Sequence, residues 1–188
     1  MSDQDGLKLI ERIGQGDENA MADFYRLYEN RLYRFIKTKL NDSFEASDIL
    51  NETFLEVWRK AVTFEGRSKV STWLFGIAYY KTMDRLRKEK HILIDEEKFP
   101  EIADETPDAV ACLLSEERGK HVQHCLKQLK APHRAVMELA FFEDLAYGEI
   151  AKIVKCPENT VKTRIFHAKQ AMKHCLQGRI GNIAGELS

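Results

Sequence analysis

Proline and glycine are scarce in this chain, at 4 and 10 of 188 residues, and few segments alternate apolar with polar residues. With so few breakers and so little period-two patterning, an all-α fold is the expected class. Long apolar runs are missing too. The longest, WLFGIAYY at 73–80, is far too short to span a bilayer, and the first twenty residues carry acids and no signal-peptide core. A cytoplasmic protein with no membrane insertion is therefore expected. Its four cysteines, Cys112, Cys125, Cys156 and Cys175, form no CxxC pair. In a reducing compartment that spacing predicts free thiols and no bridges. There is no phosphate-binding glycine loop, no nucleophile motif and no carboxylate pair in an apolar setting. An enzyme is the least favoured class, and no cofactor is implied.

The formal net charge of −1 hides a pattern. Lys81 to Lys90 holds five bases and two acids, Asp95 to Glu117 nine acids and one lysine, and Lys155 to Arg179 six bases and one glutamate. Two basic segments flank an acidic one, as suits two phosphate contacts joined by a linker that nucleic acid repels.

A short amphipathic lead-in (Leu7, Leu9, Ile10, Ile13) ends at GQGDEN, where the glycines break the helix and Asp17 can cap the next. There Met21, Phe24, Leu27, Tyr28, Leu32, Phe35 and Ile36 recur at spacings of three and four, giving one core-facing stripe. A second helix is expected over 45–61, with Ile49, Leu50, Phe54, Val57 and Trp58 inward. The loop FEGRSKVS then leads into TWLFGIAYYKTMDRLRKEK, apolar first and basic after. These helices make one domain, residues 1–90. Residues 91–111, with two prolines and many acids, read as a linker. A second domain over 112–176 has helices expected at 112–129, 133–142, 146–154 and 159–176, and a frayed tail at 177–188.

The last two helices of that domain, IAKIVKCPENTVKTRIFHAKQAM, meet the demands of a helix-turn-helix. Ile150, Ala151 and Val154 bury the first, Val161 and Ile165 the second, and Asn159 or Thr160 can cap the second. Its outer face is expected to show Lys162, Thr163, Arg164, Phe166, His167 and Lys169, cations for phosphates with Thr and Arg for base edges. A helical hairpin with a solvated basic face is the plainer reading of the same spacing. Lys155 stands at the turn position that glycine usually fills, where a left-handed backbone costs about 1–2 kcal/mol.

Taken together, the halves resemble a bacterial sigma factor of the extracytoplasmic-function group, which retains only the family's regions 2 and 4. ASDILNETFLEVWRKA is similar to the family's segment that docks on the polymerase clamp helices. FEGRSKVSTWLFGIAYYKTMDRLRK resembles the segment that opens and captures the minus-ten element. APHRAVMELAFFEDLAYGEIAKIVKCPENTVKTRIFHAKQAM resembles the region that binds the minus-thirty-five element. The resemblance implies a transcription initiation factor whose partners are core RNA polymerase at its beta-prime clamp, promoter DNA and an anti-sigma factor.

Residue by residue, the resemblance places Asp48, Asn51 and Glu52 on the polymerase clamp with Trp58 at the edge of that surface, although a core role suits Trp58 better. It places Arg67, Ser68, Lys69 and Ser71 on the loop that holds an extruded base, with Trp73 just beyond, a residue that could equally be core. Tyr80 stands where relatives often carry Asn, and it can stack as well as donate a hydrogen bond. Lys81, Arg85, Arg87 and Lys88 read as phosphate contacts. On the minus-thirty-five side the implied contacts are Asn159, Thr160, Lys162, Thr163, Arg164, Phe166, His167 and Lys169. His167 replaces a common Arg, so a pH-dependent phosphate contact is one expectation there.

HVQHC brings His121, His124 and Cys125 within one helix, but no second ligand pair is evident, so no metal is assigned to them or to His174 and Cys175. The alternative to a sigma factor is a one-component regulator with a helical sensor. Such a sensor would have no reason to resemble a polymerase-docking helix followed by a basic, aromatic one.

Overall fold

The computed structural model describes residues 3–40, 42–90 and 116–186, and every regular element among them is helical. The chain divides into two compact units: residues 1–96 with Gly148–Lys155, and residues 97–147 with Cys156–Ser188. The expected linker at 91–111 lies outside the described residues.

The first unit runs α1 (Asp3–Gly14), α2 (Glu18–Lys37), α3 (Ser43–Lys60), a 3-10 turn at Ala61–Thr63, and α4 (Val70–Lys90). Gly16 takes the left-handed conformation at φ 85° that ends α1. One residue on, Asp17 caps α2 by accepting from the backbone N–H of Ala20 at 3.0 Å, and Arg12 donates to its other oxygen at 2.9 and 2.7 Å. The predicted stripe of α2 is buried at Phe24, Tyr28, Leu32, Phe35 and Ile36. It meets α3 through Phe24 and Tyr25 against Phe54, and α4 through Phe35 edge-on to Phe75. Thr53 and Thr82, both buried, donate their hydroxyls to the carbonyls of Ile49 and Ala78 one turn back, so neither leaves an orphaned polar group.

Helix α3 begins two residues before the expected Glu45, because Asp42 accepts from the N–H of Phe44 at 2.7 Å and starts the helix there. The inward placement of Trp58 is not observed. Ile49, Leu50, Phe54 and Val57 fill the buried face, and Trp58, one residue past Val57 and so about 100° around the helix, is 37% exposed.

The second unit contains α5 (Glu116–Gln128), α6 (Ala131–Phe141) and α8 (Glu158–Glu186); α7 (Tyr147–Val154) clusters with the first. Arg134 closes the end of α5 by donating to the carbonyls of Lys127 and Leu129 at 2.5 and 2.8 Å. Both α5 and α6 pack on α8, burying Leu126, Leu129, Val136, Leu139, Val161, Ile165 and Ala168. Helix α8 continues to Glu186 rather than fraying after residue 176. Gly178 is carried within it, and an interior glycine costs only about 1 kcal/mol against alanine.

The expectation of four free thiols is overturned. Cys125 on α5 and Cys175 on α8 form a disulfide, with Cα atoms 5.8 Å apart, across 50 residues of sequence. Neither sits in a CxxC, so sequence spacing held no sign of the pairing, which depends on two helices lying side by side.

The Asp17 carboxyl is held below its ordinary range, first by the Ala20 N–H and then by Arg12. A depressed carboxylate contributes stability above its unfolded-state pKa and loses it as pH falls through the folded value. Asp17→Ala should therefore lower the thermal midpoint at neutral pH, and the gap to the parent chain should close on acidification through the carboxylate range. A gap that persists in acid would show that the cap does not act through its charge.

Candidate partner and nucleic-acid interfaces

Helix α3 carries two faces. Opposite the buried stripe, Asp48, Asn51 and Glu52 are exposed, and Leu55 and Trp58 lie three residues apart at 56% and 37% exposure, followed by Val62 at 72% in the 3-10 turn. Spacings of three and four put these apolar side chains on one strip of surface. A monomer gains nothing from leaving such a strip in water, and an acid-flanked apolar strip is suited to a partner with both basic and apolar groups.

On α4 the cations are partly engaged with those acids. Glu52 pairs with Lys81 at 3.4 Å and with Arg85 at 3.6 Å, and Arg85 also pairs with Glu45 at 3.4 Å. Farther along, Arg87 pairs with Asp84 at 3.2 Å and Lys88 is exposed. The sequence assigned Glu52 to one interface and Lys81 and Arg85 to another. Their pairing crosses two helices and had no local signal.

The loop before α4 holds Arg67, exposed and paired with Glu65, and Lys69, also exposed; the Ser68 hydroxyl donates to the Lys69 carbonyl at 3.3 Å. Ser71 is half-buried in the first turn of α4. Trp73 is half-buried with its ring 4.9 Å from that of Phe64, so it is neither deep core nor free surface. Tyr80 is half-buried, edge-on to Tyr79 at 5.5 Å, and its hydroxyl oxygen has no solvent exposure. It therefore offers a ring rather than a donor to anything arriving from solvent.

Helices α7 and α8 are joined at Lys155–Pro157, and Lys155 takes the left-handed conformation at φ 47°, as its place in the turn implies. Ile150, Ile153 and Val154 are buried on α7, Val161 and Ile165 on α8. Asn159 and Thr160 do not cap α8. The Pro157 carbonyl accepts from the N–H groups of Thr160 and Val161 at 3.0 and 3.2 Å, so α8 is already under way at Glu158 and both residues belong to its first turn.

Lys162 is exposed and pairs with Glu158 at 3.6 Å; the Thr163 hydroxyl donates to the Asn159 carbonyl at 3.0 Å. Arg164 is half-buried, its guanidinium 3.9 Å from Cys156 Sγ, and Phe166 and Lys169 are half-buried too, Lys169 lying 5.4 Å from the Phe141 ring centre. His167 is half-buried like its neighbours, but its Nε2 is buried. A phosphate could not reach that nitrogen. In the HVQHC segment, Cys125 is bonded to Cys175.

Comparison with known proteins agrees with this architecture. Residues 24–92 match the family described as Sigma-70 region 2, and residues 120–172 match Sigma-70 region 4. The ECF RNA polymerase sigma factor SigW of Bacillus subtilis is 30% identical over 179 residues, covering 90% of this chain and 96% of SigW. This chain belongs to the extracytoplasmic-function sigma factors. The RNA polymerase sigma-H factor of Pseudomonas aeruginosa is 29% identical over 181 residues, covering 90% of this chain and 93% of its own. Among solved structures, CnrH in complex with the cytosolic domain of CnrY has a TM-score of 0.66 at 18% identity, covering 92% of this chain and 97% of CnrH. RpoE of Bartonella quintana, in complex with the anti-sigma factor NepR, has a TM-score of 0.64 at 23% identity, covering 83% and 96%. At those identities the likeness is one of fold. The family acts in transcription initiation rather than catalysis, and among the described residues no helix is long and apolar enough to cross a membrane.

Two substitutions test the local geometry. Glu52→Gln removes the counter-charge of Lys81 and Arg85; affinity of the full chain for a single-stranded oligonucleotide at low salt should rise about two- to threefold, with a steeper salt dependence. Lys155→Gly relieves the left-handed turn and should stabilise the fold by about 1 kcal/mol, read as a raised denaturant midpoint at unchanged slope.

Proposed function

We propose that this sigma factor binds core RNA polymerase through the outer face of α3, captures the melted minus-ten strand over the loop before α4 and along α4, and sets α8 on the minus-thirty-five duplex. The observation that carries the reading is the outer strip of α3 and the turn after it, where Leu55, Trp58 and Val62 lie exposed beside Asp48, Asn51 and Glu52. That strip is what a docking helix needs and what a helix serving only its own core would bury.

On the minus-ten side the reading assigns the extruded base to Arg67, Ser68, Lys69 and Ser71 with the Trp73 ring, and the strand's phosphates to Lys81, Arg85, Arg87 and Lys88. Tyr80, with its hydroxyl buried, serves by stacking, so the preference at that base differs from one read by an Asn amide. On the minus-thirty-five side it assigns Asn159, Thr160 and Lys162 at the amino-terminal end of α8, with Thr163, Arg164, Phe166 and Lys169 following. The burial of Nε2 sets His167 apart from this group. Residues 91–111 join the two contacts, and linkage makes the second binding step intramolecular, so neither contact has to be tight by itself.

Two of the solved structures with this fold, CnrH and RpoE, are complexes with CnrY and with the anti-sigma factor NepR. We extend control by an anti-sigma partner to this chain, with the α3 strip as the surface it would cover.

The deciding experiment is reconstitution with core polymerase and transcription from a promoter library. Asp48→Ala combined with Glu52→Ala should weaken core binding about tenfold while leaving duplex binding by the minus-thirty-five region unchanged. A chain that binds duplex but never associates with core polymerase would sink the proposal.

A further inference from the structure

The buried stripe of α8 runs Val161, Ile165, Ala168, Met172, at alternating spacings of four and three, and the next position in that series is Cys175. The last rung of the stripe is thus covalent. Its partner Cys125 is 1% exposed, next to buried Leu126 and near Leu129, whereas Cys175 is half-buried. The bond ties the first described helix of the second unit to its last across a sequence separation of 50, and the stretch between includes all of α6 and the amino-terminal half of α8.

We propose that Cys125–Cys175 is a reversible redox site, exchanging with a low-molecular-weight thiol–disulfide couple, whose oxidation state sets how firmly α5 is held on α8 and so how well α8 is presented to duplex DNA. The second half of that statement rests on the reading of α8 as the minus-thirty-five contact.

The exposure difference fixes the order of events. An incoming thiolate reaches Cys175 Sγ; a new S–S bond forms there as the protein bond breaks, and the electron pair leaves on Cys125 Sγ, which takes up a proton. A second thiol then attacks the mixed disulfide, releasing Cys175 as a thiol and the small molecule as its disulfide. Two thiols are oxidised for one protein disulfide reduced, and the reverse sequence closes the bond. The reduced side chains remain small and apolar, so the stripe keeps its composition and loses only its clamp. Cys156, a free thiol, has its pKa pushed up by burial, with Arg164 opposing, which makes it a poor competitor for the exchange.

The test uses the full chain carrying Cys112→Ser and Cys156→Ser, equilibrated with glutathione disulfide or with dithiothreitol. Both tryptophans, Trp58 and Trp73, lie in the first unit, so their fluorescence is an internal control while circular dichroism follows all helices. Oxidation should remove two hydrogens by mass and raise the melting of the second unit by roughly 15 °C, with the tryptophan transition unmoved. It should also raise retention of a duplex pool with a randomised centre several-fold. Cys125→Ala with Cys175→Ala should match the reduced form and ignore the redox couple. Coincident melting in both states overturns the redox site. Shifted melting with equal duplex retention overturns the coupling to α8. Shifted melting with no duplex retained in either state leaves the site standing and counts against the minus-thirty-five reading instead.

Discussion

The aromatic contacts of α2 are the constraint on which the first unit depends. Phe24 and Tyr25 hold Phe54, and Phe35 meets Phe75 edge-on, so one helix fixes the rotation of both α3 and α4 about their axes. Rotation decides everything outward. With Phe54 and Val57 turned in, Leu55 and Trp58 have nowhere to go but the surface, and the acids preceding them come out beside them. One step along the helix is about 100° of rotation, and from Val57 that step carries Trp58 past the edge of the buried stripe. Truncating Phe54 would thus be felt first as lost stability and then as a displaced outer strip.

The same rotation brings Glu45 and Glu52 within reach of Lys81 and Arg85. Separations of 3.4–3.6 Å between partly exposed groups make weak pairs, worth on the order of 0–1 kcal/mol each. Weakness is what allows a second role. A cation held loosely by a carboxylate can be transferred to a phosphate at little cost, whereas a tight buried pair could not. Glu52, which offsets these cations in the free chain, stands on the outer face of α3, so the charges of α3 and α4 meet at one residue.

Features set by the neighbouring few residues were legible in the sequence. The Asp17 cap, the α2 stripe, the positive φ of Lys155 and the two helices around it all follow from local spacing, and each is present. The order of the segments was legible as well, since the match to region 2 precedes the match to region 4 along the chain. What was not legible depends on which helices lie side by side. Trp58 looks like core by composition and is not, because Val57 already occupies the inward position. Asn159 and Thr160 look like caps, but Pro157 starts α8 before them. His167 faces outward on a bare helix wheel, and its Nε2 is buried once the unit is assembled. The Cys125–Cys175 bond joins residues with no sequence relation at all.

That bond also answers a question of size. The second unit has three helices of its own among the described residues and a core of short aliphatic side chains, without the aromatic clasp of the first. A unit this small buries a lower fraction of its surface than a larger domain, and its apolar burial only narrowly exceeds the entropy of ordering its chain. A cross-link spanning 50 residues is worth about 4 kcal/mol on the loop-closure account, comparable with the whole margin of a small domain. Where so much of the stability sits in one bond, the chemical state of that bond governs how much of the time the unit is folded. The first unit has no such dependence, because its stability is spread over many aromatic and aliphatic contacts. A redox change would therefore act on the second unit and leave the first standing, so the two halves of one initiation factor can be tuned separately.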